Sequence, residues 1–177
     1  YGLKNNGADE IFGRLRKKTF KFPIGISIAK TNCHETVDTQ TGIEDYVEGY
    51  GKSQGVGSYV TLNISCPNTF GGQPFTDPER LEQLLGSLGE VRDTRPIFLK
   101  LSPDLSRSEL AAIADVGEKY RMDGYICSNL VKKHDYGKGG LGGKPVEAPS
   151  EEHLAYLYKR FGETVVLVGC GGVFTAE

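Results

Sequence analysis

Five short apolar runs recur along the chain, and a stretch with helical periodicity follows each of the first four. The runs are rich in Ile, Val and Leu and do not alternate cleanly between apolar and polar positions. This pattern is typical of strands that are buried on both faces of a parallel sheet. We therefore predict strands over residues 23–29, 59–64, 97–101, 124–128 and 165–169.

Helix start signals precede several of the periodic stretches. A Ser or Thr followed three residues later by Glu, the capping-box pattern, occurs at Thr41, Thr76 and Ser106. Alternation of strands and helices indicates an α/β fold with a parallel sheet, and both a (β/α)8 barrel and an open doubly wound sheet fit this rhythm. The predicted helices span residues 8–18, 42–53, 77–92, 107–120 and 150–161.

Composition narrows the class of protein. The chain has 177 residues and a net charge of −2 with both signs mixed, which gives no indication of nucleic-acid binding. No run approaches the roughly 18 apolar residues of a membrane span. The chain begins without Met and stops where we predict the start of a helix, so we expect one domain over residues 1–177 that is a fragment of a longer protein.

Cysteine and histidine spacing gives no sign of a metal site. Four cysteines are scattered without CxxC spacing, which favours reduced thiols in a cytoplasmic protein. We interpret Cys33, Cys127 and Cys170 as small core or turn residues. His34, His134 and His153 lack metal-ligand spacing, and we expect surface positions for them.

Polar residues cluster just after the predicted strands. Because the carboxyl ends of barrel strands meet on one face, where active sites are built, this clustering predicts a site there. The most informative segment is 63–69, which places Asn63, Cys66 and Asn68 at a strand exit. Two buried amides require polar partners, although a turn capped by Asn side chains is equally consistent with their position. Ser65 could itself react, but strand alternation would turn it away from the face of Cys66.

Three further features follow other strands. Lys100 lies between apolar residues, where an ammonium needs a ligand anion, an electron-rich ring or an escape to water. The glycines of segment 168–173 could bind a phosphate through their N–H groups or form a plain turn. The glycine cluster 137–145 could be a flexible surface loop or could approach a flat cofactor.

Five motifs together resemble the dihydroorotate dehydrogenase family, in the order and spacing of that family. The resemblance implies an FMN-binding (β/α)8 TIM barrel, of which this chain would supply about strands three to seven. It also implies oxidation of dihydroorotate to orotate in pyrimidine synthesis, with hydride transfer to FMN. The motifs are NISCPNT (63–69), LKLSPDL (99–105), DGYICSN (123–129), GGLGGKP (139–145) and VGCGGV (168–173).

The resemblance also assigns roles to residues. It makes Cys66 the general base, and it makes Asn63, Asn68 and Asn129 the amides that bind orotate. Lys100 would lie by the electron-rich edge of the flavin. The implied FMN-binding residues are Ser27, Asn63, Lys100, Ser128, Gly143, Gly171 and Gly172. A thiol, with an ordinary pKa of about 8.5, suits the base role near neutrality if its environment lowers that pKa, and asparagine amides match the edge of a pyrimidine.

The electron acceptor stays open between quinone, fumarate and NAD. The glycine-rich segment after Asn129 resembles the membrane-associated quinone class, which usually has Ser at the base position, whereas Cys66 is typical of soluble classes. Ser27 and Leu130 also depart from the quinone pattern, which has Asn and commonly Thr there. We expect a cytoplasmic protein, peripheral at the inner membrane if a quinone-class segment precedes residue 1, and a homodimer is compatible with this interpretation.

Two alternatives remain beside this reading. One is another flavin barrel that acts on a pyrimidine, similar to the dihydropyrimidine dehydrogenase flavin domain or to a dihydrouridine synthase. The other is a non-catalytic phosphate-binding barrel remnant. The second alternative predicts no bound flavin in the full-length protein.

Overall fold

The structure is a computed structural model that describes residues 3–66 and 69–175. Five strands alternate with helices along the chain, and two short 3-10 turns, Glu35–Val37 and Pro74–Thr76, precede the second and third helices. The elements are α1 Ala8–Leu15, β1 Gly25–Ile28, α2 Thr39–Ser53, β2 Tyr59–Asn63, α3 Pro78–Gly89, β3 Ile97–Lys100, α4 Arg107–Lys119, β4 Gly124–Cys127, α5 Lys144–Phe161 and β5 Val166–Gly169.

All five strands are parallel, and their order in the sheet is their order in the chain. Each crossover helix therefore adds the next strand on the same side, which places successive helices side by side over one face. A doubly wound sheet requires a reversal of strand order, and the described sheet has none. The parallel α/β prediction is confirmed, and the sequential order is that of a barrel. That the five strands are strands three to seven of eight stays a prediction.

The sheet has one face packed against helices and one face free of them. Leu62, Leu99 and Tyr125 lie on the packed face, in a core that includes Leu84 and Ile113 from the helices. The opposite side chains form two rows across the sheet, and we call this side the inner face. One row is Ser27, Thr61, Phe98, Gly124 and Val166, and the next, nearer the carboxyl ends, is Asn63, Lys100, Ile126 and Val168.

The fifth helix is longer than predicted. It begins at Lys144, whereas the sequence favoured a start at residue 150. Pro145 lies in its first turn, where its missing N–H has no intrahelical partner to lose, and Pro149 lies inside the helix. The glycines before it and the two prolines resemble a loop in sequence, which explains the error. The first helix is shorter than predicted, since it ends at Leu15.

The capping prediction is confirmed at one helix and wrong at two. Ser106 and Glu109 form a reciprocal capping box at α4, with the Ser106 N–H 2.7 Å from a Glu109 carboxylate oxygen. At α2 the cap is Asp38, which accepts from Thr41 N, and at α3 it is Asp77. An aspartate near each Thr, three residues before Thr41 and one residue after Thr76, binds the free N–H groups instead, because aspartate is a strong N-cap.

An ion-pair network, which we call the amino-end network, lies before strands β2, β3 and β4. Arg95 donates from Nη1 to the carbonyls of Ser53 at 3.0 Å and Val56 at 2.5 Å, and from Nε to Asp93 Oδ2 at 2.9 Å. Tyr50 donates its hydroxyl to Asp93 Oδ1 at 3.0 Å. Beside it, Arg92 pairs with Asp123, which also accepts from Ile97 N. These contacts join the loops that lead into the strands.

The histidine prediction is wrong for His153. This residue is 6% exposed and its Nε2 lies 3.1 Å from the Leu105 carbonyl, because it lies on the buried side of α5 together with Val146, Ser150 and Leu157. Cys127 is buried, as expected, whereas Cys170 is exposed after β5. Within the described residues, no helix is long and apolar enough to cross a membrane, and no group of three metal-binding side chains occurs.

Candidate active site

The carboxyl ends of β2, β3 and β4 place the predicted polar residues on one edge of the sheet. Asn63, the last residue of β2, is level with Lys100 at the end of β3, and Lys100 is level with Ile126 in β4. Because the chain leaves each strand here, side chains at and after these positions share the edge. We call it the carboxyl edge.

A hydrogen-bonded network holds two of the predicted amides together. Ser65 Oγ donates to Asn63 Oδ1 at 3.1 Å and accepts from Asn129 Nδ2 at 3.1 Å. Asn129 Nδ2 also donates to the Ser65 carbonyl at 2.9 Å, while its Oδ1 accepts from Leu130 N at 3.0 Å. Ser65 is fully buried, so it joins the ends of β2 and β4 and does not face a ligand. Its hydroxyl is a link in the network, a role that sequence reasoning missed.

Asn63 is held from the packed side as well. The Tyr46 hydroxyl, from α2, donates to the Asn63 carbonyl at 2.9 Å. Burial raises the pKa of Tyr46, so this phenol stays a neutral donor. Among the described residues, the Asn63 side chain is bonded only through Oδ1, which leaves its Nδ2 donors available to a ligand.

Cys66 follows this network and is half-buried. Its carbonyl accepts from Thr69 Oγ1 at 3.3 Å. Its side chain lines a cavity of about 10 Å³ together with residues that include Lys30, Tyr46 and Asn63. Cys66 therefore borders the same cavity as Asn63 and the cation of Lys30. Asn68, the third predicted amide, lies outside the described residues.

Lys100 and Ser128 are polar groups with unused bonding capacity. Lys100 is partly exposed on the inner face and makes none of the hydrogen bonds or ion pairs found in the described part of the chain. Ser128 Oγ is buried and has no hydrogen-bond partner within residues 3–66 and 69–175. A buried hydroxyl without a partner costs about 1–3 kcal/mol, so it indicates a ligand at this point.

The predicted glycines meet at the start of α5. Gly143 is the residue before the helix, with φ 74°, and Gly171 and Gly172 follow β5 with φ 91° and 75°. A Cβ on Gly172 would lie 2.6 Å from Glu147 Cα, so only glycine permits this approach to the first turn of α5. The free N–H groups of a helix start suit an anion. Gly137, Gly139 and Gly140 lie in a loop closed by an antiparallel bridge between Val131 and Leu141, and Gly142 directly follows this loop.

Ser27 lies apart from these groups. It is exposed on the inner face, one row below Asn63. A cavity of about 680 Å³ runs along β1 and includes Ser27 and Asn63, but not Lys100, Ser128 or the glycines. Since β1 is the outermost strand of the described sheet, this cavity is a groove beside an unpaired strand edge, and we do not equate it with the candidate site.

The structure thus brings together Cys66, Asn63 and Asn129, and places Lys100 level with Asn63. Lys30 is the residue whose importance sequence reasoning missed. It is 4% exposed, and its Nζ donates to the Phe70 carbonyl at 2.7 Å and to Thr36 Oγ1 at 3.2 Å. Its position just after an apolar strand was the available signal.

Sheet order and a polar carboxyl edge define a class, the parallel α/β barrels with a ligand site at the strand exits. A family model described as dihydroorotate dehydrogenase matches residues 1–177, so the chain belongs to the dihydroorotate dehydrogenase family. It is 34% identical to the dihydroorotate dehydrogenase (quinone) of Myxococcus xanthus over 187 aligned positions, with 99% of this chain and 51% of that protein covered.

Two further comparisons agree. The chain is 31% identical to the dihydroorotate dehydrogenase (quinone) of Mycolicibacterium smegmatis, covering 99% of this chain and 51% of that protein. The crystal structure of DHODH from Eimeria tenella in complex with ferulenol superposes with a TM-score of 0.85 at 23% identity, over 98% of this chain and 55% of that one. The chain spans about half the length of the curated relatives it matches, and the structural likeness confirms the barrel fold.

Proposed function

We propose that the full-length protein oxidises dihydroorotate to orotate in de novo pyrimidine synthesis, with FMN as its cofactor. Residues 1–177 would be one part of the barrel domain. The observation that carries the proposal is the network Asn63–Ser65–Asn129, which holds two amides beside the Cys66 thiol at the carboxyl edge. Family membership supplies the reaction class.

The amides would bind the pyrimidine ring. Asn63 Nδ2 can donate to a ring carbonyl, and the second lone pair of Asn129 Oδ1 can accept from a ring N–H. Asn68 would complete the set. Since Ser65 fixes both amides before any ligand arrives, little ordering cost remains at binding.

Cys66 would act as the general base. Its thiolate sulfur takes a proton from one ring carbon, and the electron pair of that C–H bond becomes the new carbon–carbon double bond as a hydride leaves the neighbouring carbon. When bound, FMN supplies the hydride acceptor. A cysteine can fill the base role because its ordinary pKa, about 8.5, is close enough to the working pH for the thiolate to form.

The residues present fit a flavin phosphate and ring. Lys100 offers a cation and Ser128 a hydroxyl, neither with a partner among residues 3–66 and 69–175, and Gly143, Gly171 and Gly172 surround the start of α5. Ser27 and Asn63 would border the ring from the inner face. We assign these residues to cofactor binding as part of the proposal.

We further propose a quinone as the electron acceptor, because the relatives at 34% and 31% identity are named as quinone enzymes. Reoxidation of the dihydroorotate-reduced protein by a short-chain ubiquinone should be faster than by fumarate or NAD⁺. Faster reoxidation by fumarate or NAD⁺ would assign the protein to a soluble class, as Cys66 suggested.

The test of the function uses full-length, flavin-containing protein mixed anaerobically with dihydroorotate. The expected result is loss of the flavin absorbance with formation of an equal amount of orotate. Dihydrouracil, which lacks the carboxylate, is the matched control. Bleaching by dihydrouracil and not by dihydroorotate would favour another pyrimidine oxidoreductase, and flavin-free protein would favour a non-catalytic barrel.

A further inference from the structure

The loop that carries Cys66, described over residues 64–66 and 69–73, is held by the segment that follows β1. Lys30 Nζ donates to the Phe70 carbonyl at 2.7 Å, and Phe70 N donates to Asn32 Oδ1 at 2.8 Å. Both backbone polar groups of one loop residue are therefore bound by side chains of a neighbouring strand exit. The Phe70 ring itself is 54% exposed, so the loop is anchored by these polar contacts and not by burial of that ring.

Holding the loop with the Lys30 ammonium has a high cost in desolvation free energy. Burying a charge is costly unless it is well paired, and Lys30 forms no salt bridge within the described residues. Its two bonds go to a carbonyl and to the hydroxyl of Thr36. The nearby Asp45 carboxylate is occupied by the N–H and hydroxyl of Thr31. A neutral donor could bind the Phe70 carbonyl at a lower cost in desolvation free energy, so we expect the positive charge of Lys30 to have a further role.

The group that can use this charge is the Cys66 thiol, which lines the same small cavity as Lys30. The other titratable groups around the pair are Cys33 in the segment after β1 and Asp45 and Tyr46 on α2. Burial lowers the pKa of Lys30, while the negative forms of Cys33, Asp45 and Cys66 oppose that shift. In general, a cation beside a thiol favours the ionised form of that thiol.

We propose that Lys30 is a positioning residue for the reaction: its ammonium fixes the Cys66 loop through the Phe70 carbonyl and places a positive charge beside the Cys66 thiol. This inference rests on the proposed function, in which Cys66 is the base. It adds that the base is prepared by a residue of the preceding strand exit, which touches neither of the reacting carbons.

The first test measures the thiolate without using activity. Full-length Lys30→Met protein is alkylated with iodoacetamide across a range of pH, and Cys66 and Cys170 are followed separately by peptide mass spectrometry. We expect the midpoint for Cys66 to rise by about one pH unit, since a nearby cation typically lowers a thiol pKa by at least that much. The exposed Cys170 serves as an internal reference and should not shift.

Two variants make this result specific. Lys30→Arg keeps the cation and should keep the wild-type midpoint, whereas the exposed Lys18→Met controls for loss of a lysine elsewhere. If Lys30→Met does not fold, Lys30→Gln, which keeps a donor and loses the charge, takes its place. An unshifted Cys66 midpoint in the neutral variant would overturn the proposal.

The second test follows bleaching by dihydroorotate. Lys30→Met should keep its flavin, bleach about tenfold more slowly at neutral pH, and recover as the pH rises, because one pH unit corresponds to a tenfold change in thiolate. Asn32→Ala, which removes the acceptor of the Phe70 N–H and keeps the Lys30 charge, should slow bleaching without moving the alkylation midpoint. A neutral Lys30 variant that bleaches at the wild-type rate at every pH would contradict the inference. If wild-type protein does not bleach at all, the proposed function fails, while alkylation still decides the role of Lys30.

Discussion

The two ends of the sheet are both rich in polar side chains, yet they use them differently. At the amino-end network, Arg95 and Asp93 bind each other and the surrounding carbonyls and hydroxyls. At the carboxyl edge, Lys100 and the Ser128 hydroxyl have no partner within the described residues, and Asn63 keeps two free donors. Polar groups that satisfy one another stabilise a fold, and polar groups left unsatisfied indicate a ligand.

The two ends of the sheet also differ in how their charged groups affect the stability of the fold. Burial tends to raise the pKa of Asp93, but hydrogen bonds from Arg95 and Tyr50 and the charge of Arg95 lower it below its ordinary value. Asp93 therefore contributes stability above its unfolded pKa, and this contribution is lost as the pH falls through the folded value. At the carboxyl edge, by contrast, the pKa of Lys30 is lowered by burial, which costs stability.

The largest stability effect is expected at the amino-end network. Arg95→Met leaves Asp93 without its cation and the carbonyls of Ser53 and Val56 without a donor. Breaking such a pair costs about 3 kcal/mol in the free energy of unfolding. Urea unfolding of the full-length protein measures this, with the exposed Arg80→Met as the matched control.

The activity of Arg95→Met tests whether the amino-end network and the carboxyl edge act independently. Bleaching per bound flavin should stay close to wild type in Arg95→Met, because the network lies at the opposite end of the strands from Cys66. A large loss of activity in folded, flavin-containing Arg95→Met protein would show that the two ends are not independent.

A smaller stability effect with a clear effect on binding is expected for Ser65→Ala. The change removes the hydroxyl that links Asn63 and Asn129, at a cost of about 1–2 kcal/mol in stability. KM for dihydroorotate should rise about tenfold, since a lost hydrogen bond of 1.4 kcal/mol corresponds to that factor. Steady-state kinetics of Ser65→Ala, with the exposed Ser58→Ala as the matched control, measures this KM. An unchanged KM in Ser65→Ala would mean that Asn63 and Asn129 are held in place without Ser65.

The smallest expected effect is on the pH dependence of the free energy of unfolding, through His153. Burial lowers its pKa below 6.5, so the unfolded state takes up a proton first as the pH falls. Stability due to this residue is therefore present above pH 6.5 and lost as the pH falls toward the folded value. Unfolding of His153→Gln should depend less on pH between about 6.5 and 5 than wild type, and equal slopes would argue against a buried neutral histidine.

Much of the fold and part of the site follow from the sequence. The five strands were predictable because runs of Ile, Val and Leu are unambiguous when both faces are buried. The early start of α5 was not, because Gly143, Pro145 and Pro149 have the composition of a loop and the helix is stabilised by tertiary packing. Strand exits predicted the shared edge of Asn63, Cys66 and Lys100.

The contacts that fix this site could not be read from the chain. Ser65 and Lys30 act through partners 64 and 40 residues away, Asn129 and Phe70, and no local pattern encodes such pairs. Strand alternation predicted only that Ser65 would point away from Cys66. The distinction between a residue that binds a ligand and one that holds a binding residue required the three-dimensional arrangement.

The central claim is that Cys66 is the base of a pyrimidine site at the carboxyl edge. Full-length Cys66→Ala, mixed anaerobically with dihydroorotate at neutral pH, should retain FMN and orotate binding and bleach about 100-fold or more slowly than wild type. Cys33→Ala is the control thiol variant. Wild-type bleaching in Cys66→Ala would contradict the account.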